Sequence, residues 1–493
     1  MENVVIVGSG SAGWLTAISL VNQNFNVTLV ESPDIPVIGV GESTQPAVTS
    51  FIEIFGKIPL DEWMHEVGAT YKMGVLVDGW SDLPVFVDSE SASYHSFTGS
   101  RGIESFILTN KISPEDYLNR FDAYLVAKNN KSPCIDSFHY GVVNGEGNNK
   151  HTAVQWDSMR VQKFFKEKCL SKDNFTLLQE NMVDVIFDEN EFVKEIKLSN
   201  ELTVSGDWYF DCTGFHRKIL SKYNSQWYSF SNMLLNNSAV VIRKKYIDPR
   251  QECHPYTKAT AMDFGWKWGI PTYDDMSHGY VYSNNYISKE DAEKELRTKI
   301  NEWNSSALHV PFTPGISSPM AYKNVIAAGL SGAFVEPLQA TSLAFTCLSV
   351  ANFIQNYRGP STDIDSLNTI YHRIVAEIVS FITAHYYFCQ KNDNQYWKDV
   401  KKTTLLPYVN DIFEKVKNGD LLGEEELSQN SMFHGGHWFQ LLYPYGLYKN
   451  YKSDLSYKIN ELGKINYARK NLMQNELIDL LPNHYDYLTE CRK

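Results

Sequence analysis

Val4-Val5-Ile6-Val7-Gly8-Ser9-Gly10-Ser11-Ala12-Gly13 opens the chain, a helical run follows from Trp14, and Val27-Thr28-Leu29-Val30-Glu31 completes the stretch. This is a buried strand, a G-x-G-x-x-G turn, a helix and a second strand ending on an acid. Gly8 permits the tight turn, Gly10 lets backbone approach a pyrophosphate, and Gly13 lets helix and strand pack closely. The helix start, with Ser9, Ser11 and Ala12 around it, offers unpaired N–H groups and a positive dipole end to phosphates. Glu31, eighteen residues past Gly13, has the spacing of an acid that holds a ribose diol. A lone glycine fingerprint carries little weight; the flanking strands and the terminal acid point to a Rossmann-type adenine dinucleotide site. The competing reading is a glycine-rich turn in some other βαβ unit. The fingerprint leaves FAD and NAD both open.

The 493 residues can bury a large core, and 43% hydrophobic with 21% charged residues is ordinary for a soluble globular chain. A net charge of −13 without a Lys/Arg block argues against nucleic acid or an anionic membrane as partner. The seven cysteines (134, 169, 212, 253, 347, 389, 491) are scattered, with no C-x-x-C. Neither a disulfide framework nor a zinc site is indicated, no metal is expected, and a reducing compartment fits better. The start on a core strand leaves no room for a signal peptide, and no apolar run reaches membrane-span length. A cytoplasmic protein is expected.

Gly39-Val40-Gly41-Glu42-Ser43-Thr44 forms a second glycine-rich elbow that lets backbone approach a flat ligand; it also reads as a helix start. Residues 47–56 look helical, Trp63 to Val67 continue that pattern, and Tyr71 to Trp80 read as a strand carrying Lys72. Residues 128–153 read as a loop, and a helix begins near Ser158. Strands around Leu177-Leu178, Met182–Phe187, Glu191–Ile196 and Trp208–Gly214 return to the nucleotide sheet. Residues 225–300 read as an antiparallel sheet with turns at Asp274-Asp275 and Asn284-Asn285. Val325–Gly329 is another buried strand, and a helix starts near Ala340. From 360 onward the pattern is helical, with breaks near Pro407, Gly435-Gly436 and Pro444.

Asp211-Cys212-Thr213-Gly214-Phe215 resembles the segment that closes the sheet in flavin monooxygenase-like proteins. Gly265-Trp266-Lys267-Trp268-Gly269-Ile270-Pro271 contains W-x-W-x-I-P, the fingerprint of the flavin-dependent halogenases, the tryptophan halogenase-like group. Agreement extends through Gly39–Glu42, Asp61–Met64, Tyr71-Lys72, Gly279–Ser283, Gly329–Ser331, Phe334–Leu338, Ala384–Tyr386 and Tyr396-Trp397. The chain therefore resembles that family over nearly its whole length. The resemblance implies an α/β fold: a glutathione-reductase-like FAD domain, an interleaved antiparallel sheet and a mostly helical C-terminal region. The domains follow as 1–350, an FAD-binding core with a sheet inserted at about 225–320, and 351–493, a helical substrate cap. It also implies FAD used as FADH2 from a separate flavin reductase, with O2 and a halide ion giving hypohalous acid for a small aromatic substrate, and a homodimer.

By the same resemblance Lys72 matches the family's essential lysine, which polarises hypohalous acid or forms a haloamine. Taken alone, a Lys on a strand is ordinarily a solvated surface residue. Gly8, Ser9, Gly10, Ser11, Ala12, Gly13, Glu31, Glu42 and Ser43 match cofactor positions, and Val183, Leu330 and Leu343 match more loosely, with core packing competing for the two leucines. Trp266 and Trp268 correspond to a wall between flavin and substrate, although a Trp pair on a strand is more often sheet packing. His95, Phe97 and Trp438 correspond to an aromatic substrate pocket, against which stands plain core packing. The chain departs from the family at Gln339-Ala340-Thr341-Ser342, where the tryptophan halogenases have Glu-Ser-Thr-Gly. Thr341 and Ser342 match the halide-binding pair, while Gln339 cannot take a proton as a general base. A weakened activating pair favours the easily oxidised bromide or iodide over chloride. The implied activity is halogenation of an indole, phenol or similar arene; the alternatives are a flavin-dependent aromatic hydroxylase and a flavoprotein without turnover.

Overall fold

The computed structural model describes residues 1–35, 39–89, 100–119, 122–135, 138–139, 153–223, 225–422, 432–451, 464 and 478–493. The chain divides into two compact units, each assembled from three separated segments. The first takes Met1–Gly68, Trp156–Phe230 and Thr313–Val375; the second takes Ala69–Gln155, Ser231–Phe312 and Ala376–Lys493.

The first unit is built on a six-stranded sheet in the order Phe175–Gln179, Asn26–Glu31, Asn3–Val7, Trp208–Asp211, Val325–Ala327, Ala321–Tyr322. All neighbours run parallel except the last pair. Strands in a parallel sheet are covered on both faces, so they read as unbroken apolar runs. Val4, Val5 and Ile6 are accordingly buried, each contributing on the order of 1.5–3 kcal/mol. The helix Ser11–Asn22 is buried continuously from Gly13 to Val21 because its sequence is apolar or small all round. The helix Ser158–Leu170 starts where the Asp157 carboxylate accepts from the Met159 and Arg160 amides. Val5, Val7 and Val30 join Met182, Val185, Ile196 and Leu198 of a small antiparallel meander in one core.

The second unit holds a seven-stranded sheet: Ala307–Pro311, Ser238–Lys245, Asp275–Tyr282, Gly265–Pro271, Thr257–Met262, Gly74–Asp78, Val85–Asp88. Only Thr257–Met262 and Gly74–Asp78 pair in parallel. The expected turn at Asp274-Asp275 is present, but the expected sheet over 225–300 ends early, because Lys289–Ile300 is a helix. Ser288 caps it by accepting from the Asp291 amide, and Ala292, Leu296 and Ile300 pack on Val240, Ile242 and Tyr280. The single strand expected from Tyr71 to Trp80 is two, Thr70–Lys72 and Gly74–Asp78. The expected breaks near Pro407 and Gly435-Gly436 are present: each is followed by a new helix, Pro407–Asn418 and Gly435–Leu442, with Pro407 at the first turn where its missing N–H costs nothing. Among the described residues no helix is long and apolar enough to cross a membrane, and no cluster of three His, Cys, Asp or Glu could hold a metal.

Candidate active site

In the first unit the three fingerprint glycines divide by what surrounds them. Gly8 has φ 106°, and a Cβ there would lie 2.3 Å from the Cys212 carbonyl oxygen. A Cβ on Gly13 would lie 2.0 Å from the Gly8 oxygen. Both glycines are required by the protein's own backbone. Gly10 differs: it is exposed and nothing lies within 4 Å of the Cβ position. Gly10 immediately precedes the helix, whose first bond runs from the Trp14 amide to the Gly10 carbonyl at 3.0 Å. The open space at Gly10, at the N-terminal end of the helix, is a cradle that fits a pyrophosphate.

Glu31 ends its strand beside that cradle. Burial pushes its carboxyl up, but hydrogen bonds from Lys166, Gln179 and Ser9 outweigh this and hold it below the ordinary carboxylate range. Lys166 Nζ is 2.6 Å and Gln179 Nε2 3.0 Å from Glu31 Oε2. Glu42 behaves oppositely. Its carboxylate is desolvated although the residue keeps some exposed surface, and burial raises its pKa despite hydrogen bonds from Trp156 and Ser11. Trp156 Nε1 donates at 2.7 Å and Ser11 Oγ at 2.9 Å, which ties the second glycine elbow to the first turn of the helix. Ser43 follows Glu42 in the short strand Gly41–Ser43.

Two further segments of this unit come in beside these elbows, one against the helix turn and one against the residues that follow Ser43. Gly329, with φ 71°, leaves its Cβ position 2.6 Å from the Ala12 side chain, which sets the Gly329–Ser331 turn and half-buried Leu330 against the cradle. Gln45 Nε2 donates to the Gln339 carbonyl at 2.7 Å. Gln339 and Ala340 both adopt left-handed φ, 63° and 56°, immediately before the helix Thr341–Asn356. Two consecutive non-glycine residues there store strain of order 1–3 kcal/mol each. Thr341 is buried, Ser342 and Leu343 are half-buried, and no side chain caps this helix start. Glu336, three residues before Gln339, is fully buried. Val183 lies on the meander and is 52% exposed.

In the second unit Lys72 ends the strand Thr70–Lys72 and is 1% exposed. Burial alone lowers its pKa to about 7. The strand is fixed by its neighbours: Thr70 Oγ1 donates to the Pro271 carbonyl at 2.8 Å, and the Met73 amide to the Pro255 carbonyl at 2.7 Å. Trp266 and Trp268 lie on one face of Gly265–Pro271, both buried, ring centroids 6.3 Å apart. The Trp268 ring occupies the space above Gly279, where a Cβ would sit 2.0 Å from Cζ2. Trp438 is also buried, edge-on to Phe381 at 5.0 Å. His95 and Phe97 lie outside the described residues.

The tryptophan halogenase family profile matches residues 3–460. This chain belongs to the tryptophan halogenase family. It is 30% identical to the tryptophan 6-halogenase SttH of Streptomyces toxytricini, covering 84% of each chain. Among solved structures it matches Tar14, a tryptophan C-6 flavin-dependent halogenase (chlorinase) from taromycin biosynthesis, at 26% identity and TM-score 0.87 over 100% of both chains. A tryptophan halogenase of Shewanella frigidimarina shares the fold at TM-score 0.90 and 20% identity, over 100% of this chain and 98% of that one. The α/β fold with its parallel Rossmann-like sheet and helical C-terminal region is thus that of the family, and the protein is an oxidoreductase of the flavin-dependent halogenase type.

Within this family member, residues 8–13, Glu31, Glu42, Ser43, Leu330 and Thr341 to Leu343 fall in one unit, and Lys72, Trp266, Trp268 and Trp438 in the other. Trp156 and Lys166, which bond the two acids, carry no functional signal in the sequence. Both contacts join residues more than a hundred positions apart, so no local pattern announces them.

Proposed function

We propose that this halogenase uses FADH2, O2 and a halide to form hypohalous acid, which Lys72 directs onto an electron-rich arene such as an indole or phenol. The observation that carries the reading is the burial of Lys72. A lysine whose pKa is brought to about 7 populates both amine and ammonium near neutrality. As ammonium, Nζ donates a hydrogen bond to the oxygen of hypohalous acid and makes the halogen more electrophilic. As amine, Nζ takes the halogen and releases water. In either case the arene exchanges a proton for halogen, and the second product is water.

FAD would be held by the Gly8–Gly13 turn at its pyrophosphate, by Glu31 at a ribose diol, and by Glu42, Ser43, Val183, Leu330 and Leu343 along its length; the open Cβ position at Gly10 fits this. When bound in reduced form, FAD supplies the two electrons with which dioxygen and halide become hypohalous acid and water. Thr341 and Ser342 hold the halide at the uncapped start of their helix. His95, Phe97 and Trp438 line the arene pocket, and Gln339 leaves the ring proton to water. Without a carboxylate at Gln339, bromide or iodide is favoured over chloride. A separate reductase supplies the reduced flavin, and the enzyme works as a homodimer in the cytoplasm.

The test is mass spectrometry of an indole and phenol panel incubated with enzyme, FAD, a flavin reductase, NADH and each halide separately. The expected product carries the bromine isotope doublet or the iodine mass increment. An added oxygen without halogen would instead assign the enzyme to aromatic hydroxylation, the second reading, which the missing carboxylate at Gln339 leaves open and which Trp266, Trp268 and Lys72 argue against. A preference for chloride in direct competition would overturn the halide assignment.

A further inference from the structure

We infer that His484, at the start of the C-terminal helix His484–Cys491, is a positioning residue for Lys72: its Nε2 accepts the hydrogen bond of the Tyr71 amide and fixes the strand that carries the lysine. The inference rests on the role proposed above for Lys72.

The strand Thr70–Lys72 pairs along one edge with Ala153–Asp157, Lys72 opposite Ala153. The amides on either side of the lysine are anchored elsewhere. The Tyr71 N–H is given to His484 Nε2 at 3.2 Å, and the Met73 N–H to the Pro255 carbonyl at 2.7 Å. The tautomer of His484 is dictated by its partners. Nδ1 lies 2.8 Å from the Cys253 carbonyl, which can only accept, so the proton is on Nδ1 and Nε2 is left as the acceptor. The ring is fully buried, and burial lowers its pKa to about 4, so the neutral form persists at neutral pH. A charged imidazole would present an N–H to the Tyr71 N–H and break the anchor.

The helix that delivers the imidazole is itself held. The His484 amide bonds the Asn130 carbonyl at 2.9 Å, the Ser132 amide bonds the Pro482 carbonyl at 2.9 Å, and Arg250 pairs with Asp486 at 2.8 Å. The Tyr71 ring packs 6.1 Å from the imidazole and 6.2 Å from Tyr487. Here the last helix of the chain sets the backbone from which Nζ is presented.

Two substitutions separate positioning from anchoring. His484→Asn retains a donor for the Cys253 carbonyl and loses the acceptor for Tyr71; His484→Gln places an amide oxygen near the Nε2 position. In the full-length, FAD-loaded protein, Lys72 reactivity is followed by reductive methylation and mass spectrometry across pH. Indole bromination is measured together with a thioether scavenger that reports hypobromous acid reaching solvent. His484→Asn is expected to raise Lys72 labelling about three- to tenfold and to shift bromide oxidation from bromoindole to scavenger product at unchanged total. His484→Gln is expected to behave as wild type. Unchanged labelling in His484→Asn, or equal changes in both variants, overturns the inference. The labelling arm needs no substrate. Lys72→Ala is run alongside: if it brominates indole normally, the role proposed for Lys72 falls, while labelling still decides whether His484 fixes the strand.

Discussion

Gly10 and Gly13 make opposite demands, and replacing each by alanine separates a ligand cradle from a packing constraint. At Gly13 the added Cβ would lie 2.0 Å from the Gly8 carbonyl oxygen. That neighbour is backbone, so relief requires moving strand against helix. Overpacking of this kind costs about 1–3 kcal/mol, against which alanine recovers up to about 1 kcal/mol of helix propensity. The net expectation is a loss of about 1–2 kcal/mol in the apoprotein. At Gly10 the Cβ meets nothing, and φ of −69° suits any L-residue. Apoprotein stability should therefore change by less than about 0.5 kcal/mol. A pyrophosphate seated on that backbone would meet the new methyl, at a cost of about 1.4–3 kcal/mol, or roughly ten- to a hundredfold in FAD affinity. Chemical denaturation of the apoproteins and flavin titration by fluorescence read the two effects independently. Destabilisation of the apoprotein by Gly10→Ala as large as that by Gly13→Ala, or wild-type FAD binding by Gly10→Val, would rule out a cradle at Gly10.

Trp156→Phe keeps the edge contact with Trp63, centroids 5.5 Å apart, but withdraws the N–H from the Glu42 carboxylate. Burial already raises the folded pKa of Glu42 above its ordinary 4.5, so this group favours folding most below that value and loses its contribution as pH rises through the folded pKa. The variant should lose about 1–3 kcal/mol at pH 8 and less as pH falls toward 5; equal losses at both ends of a denaturation series would refute this. Gly279→Ala drives a methyl into the Trp268 ring, 2.0 Å from Cζ2, and should cost about 1–3 kcal/mol. A double-mutant cycle with Trp268→Ala should return a coupling above about 1 kcal/mol, and simple additivity would show that the ring does not rest there.

The nucleotide half of the fold is legible because its signals are local. Four apolar residues, three spaced glycines and a terminal acid lie within thirty-one positions, and the observed strands Asn3–Val7 and Asn26–Glu31 end within a residue of the expected ones. The strand of Lys72 is less legible. At its break Met73 bonds to partners outside both strands, its amide to the Pro255 carbonyl at 2.7 Å and its carbonyl to the Ser89 amide at 2.9 Å. The helix Lys289–Ile300 had its signals in Ser288, Ala292 and Leu296, but the aromatic alternation before it masked the change of period. Burial of Lys72 was not readable at all. It follows from packing, and the contact that anchors its strand, from Tyr71 to His484, spans 413 positions.

The central claim is that buried Lys72 directs hypohalous acid onto the ring. It is tested most directly by comparing wild type with Lys72→Ala under identical supplies of FAD, reductase, NADH, oxygen and bromide. The variant is expected to bind FAD and oxidise reduced flavin as wild type does, while the bromine isotope doublet on the arene disappears. Bromination persisting in Lys72→Ala at the wild-type rate, with an arene that wild type brominates, would contradict it.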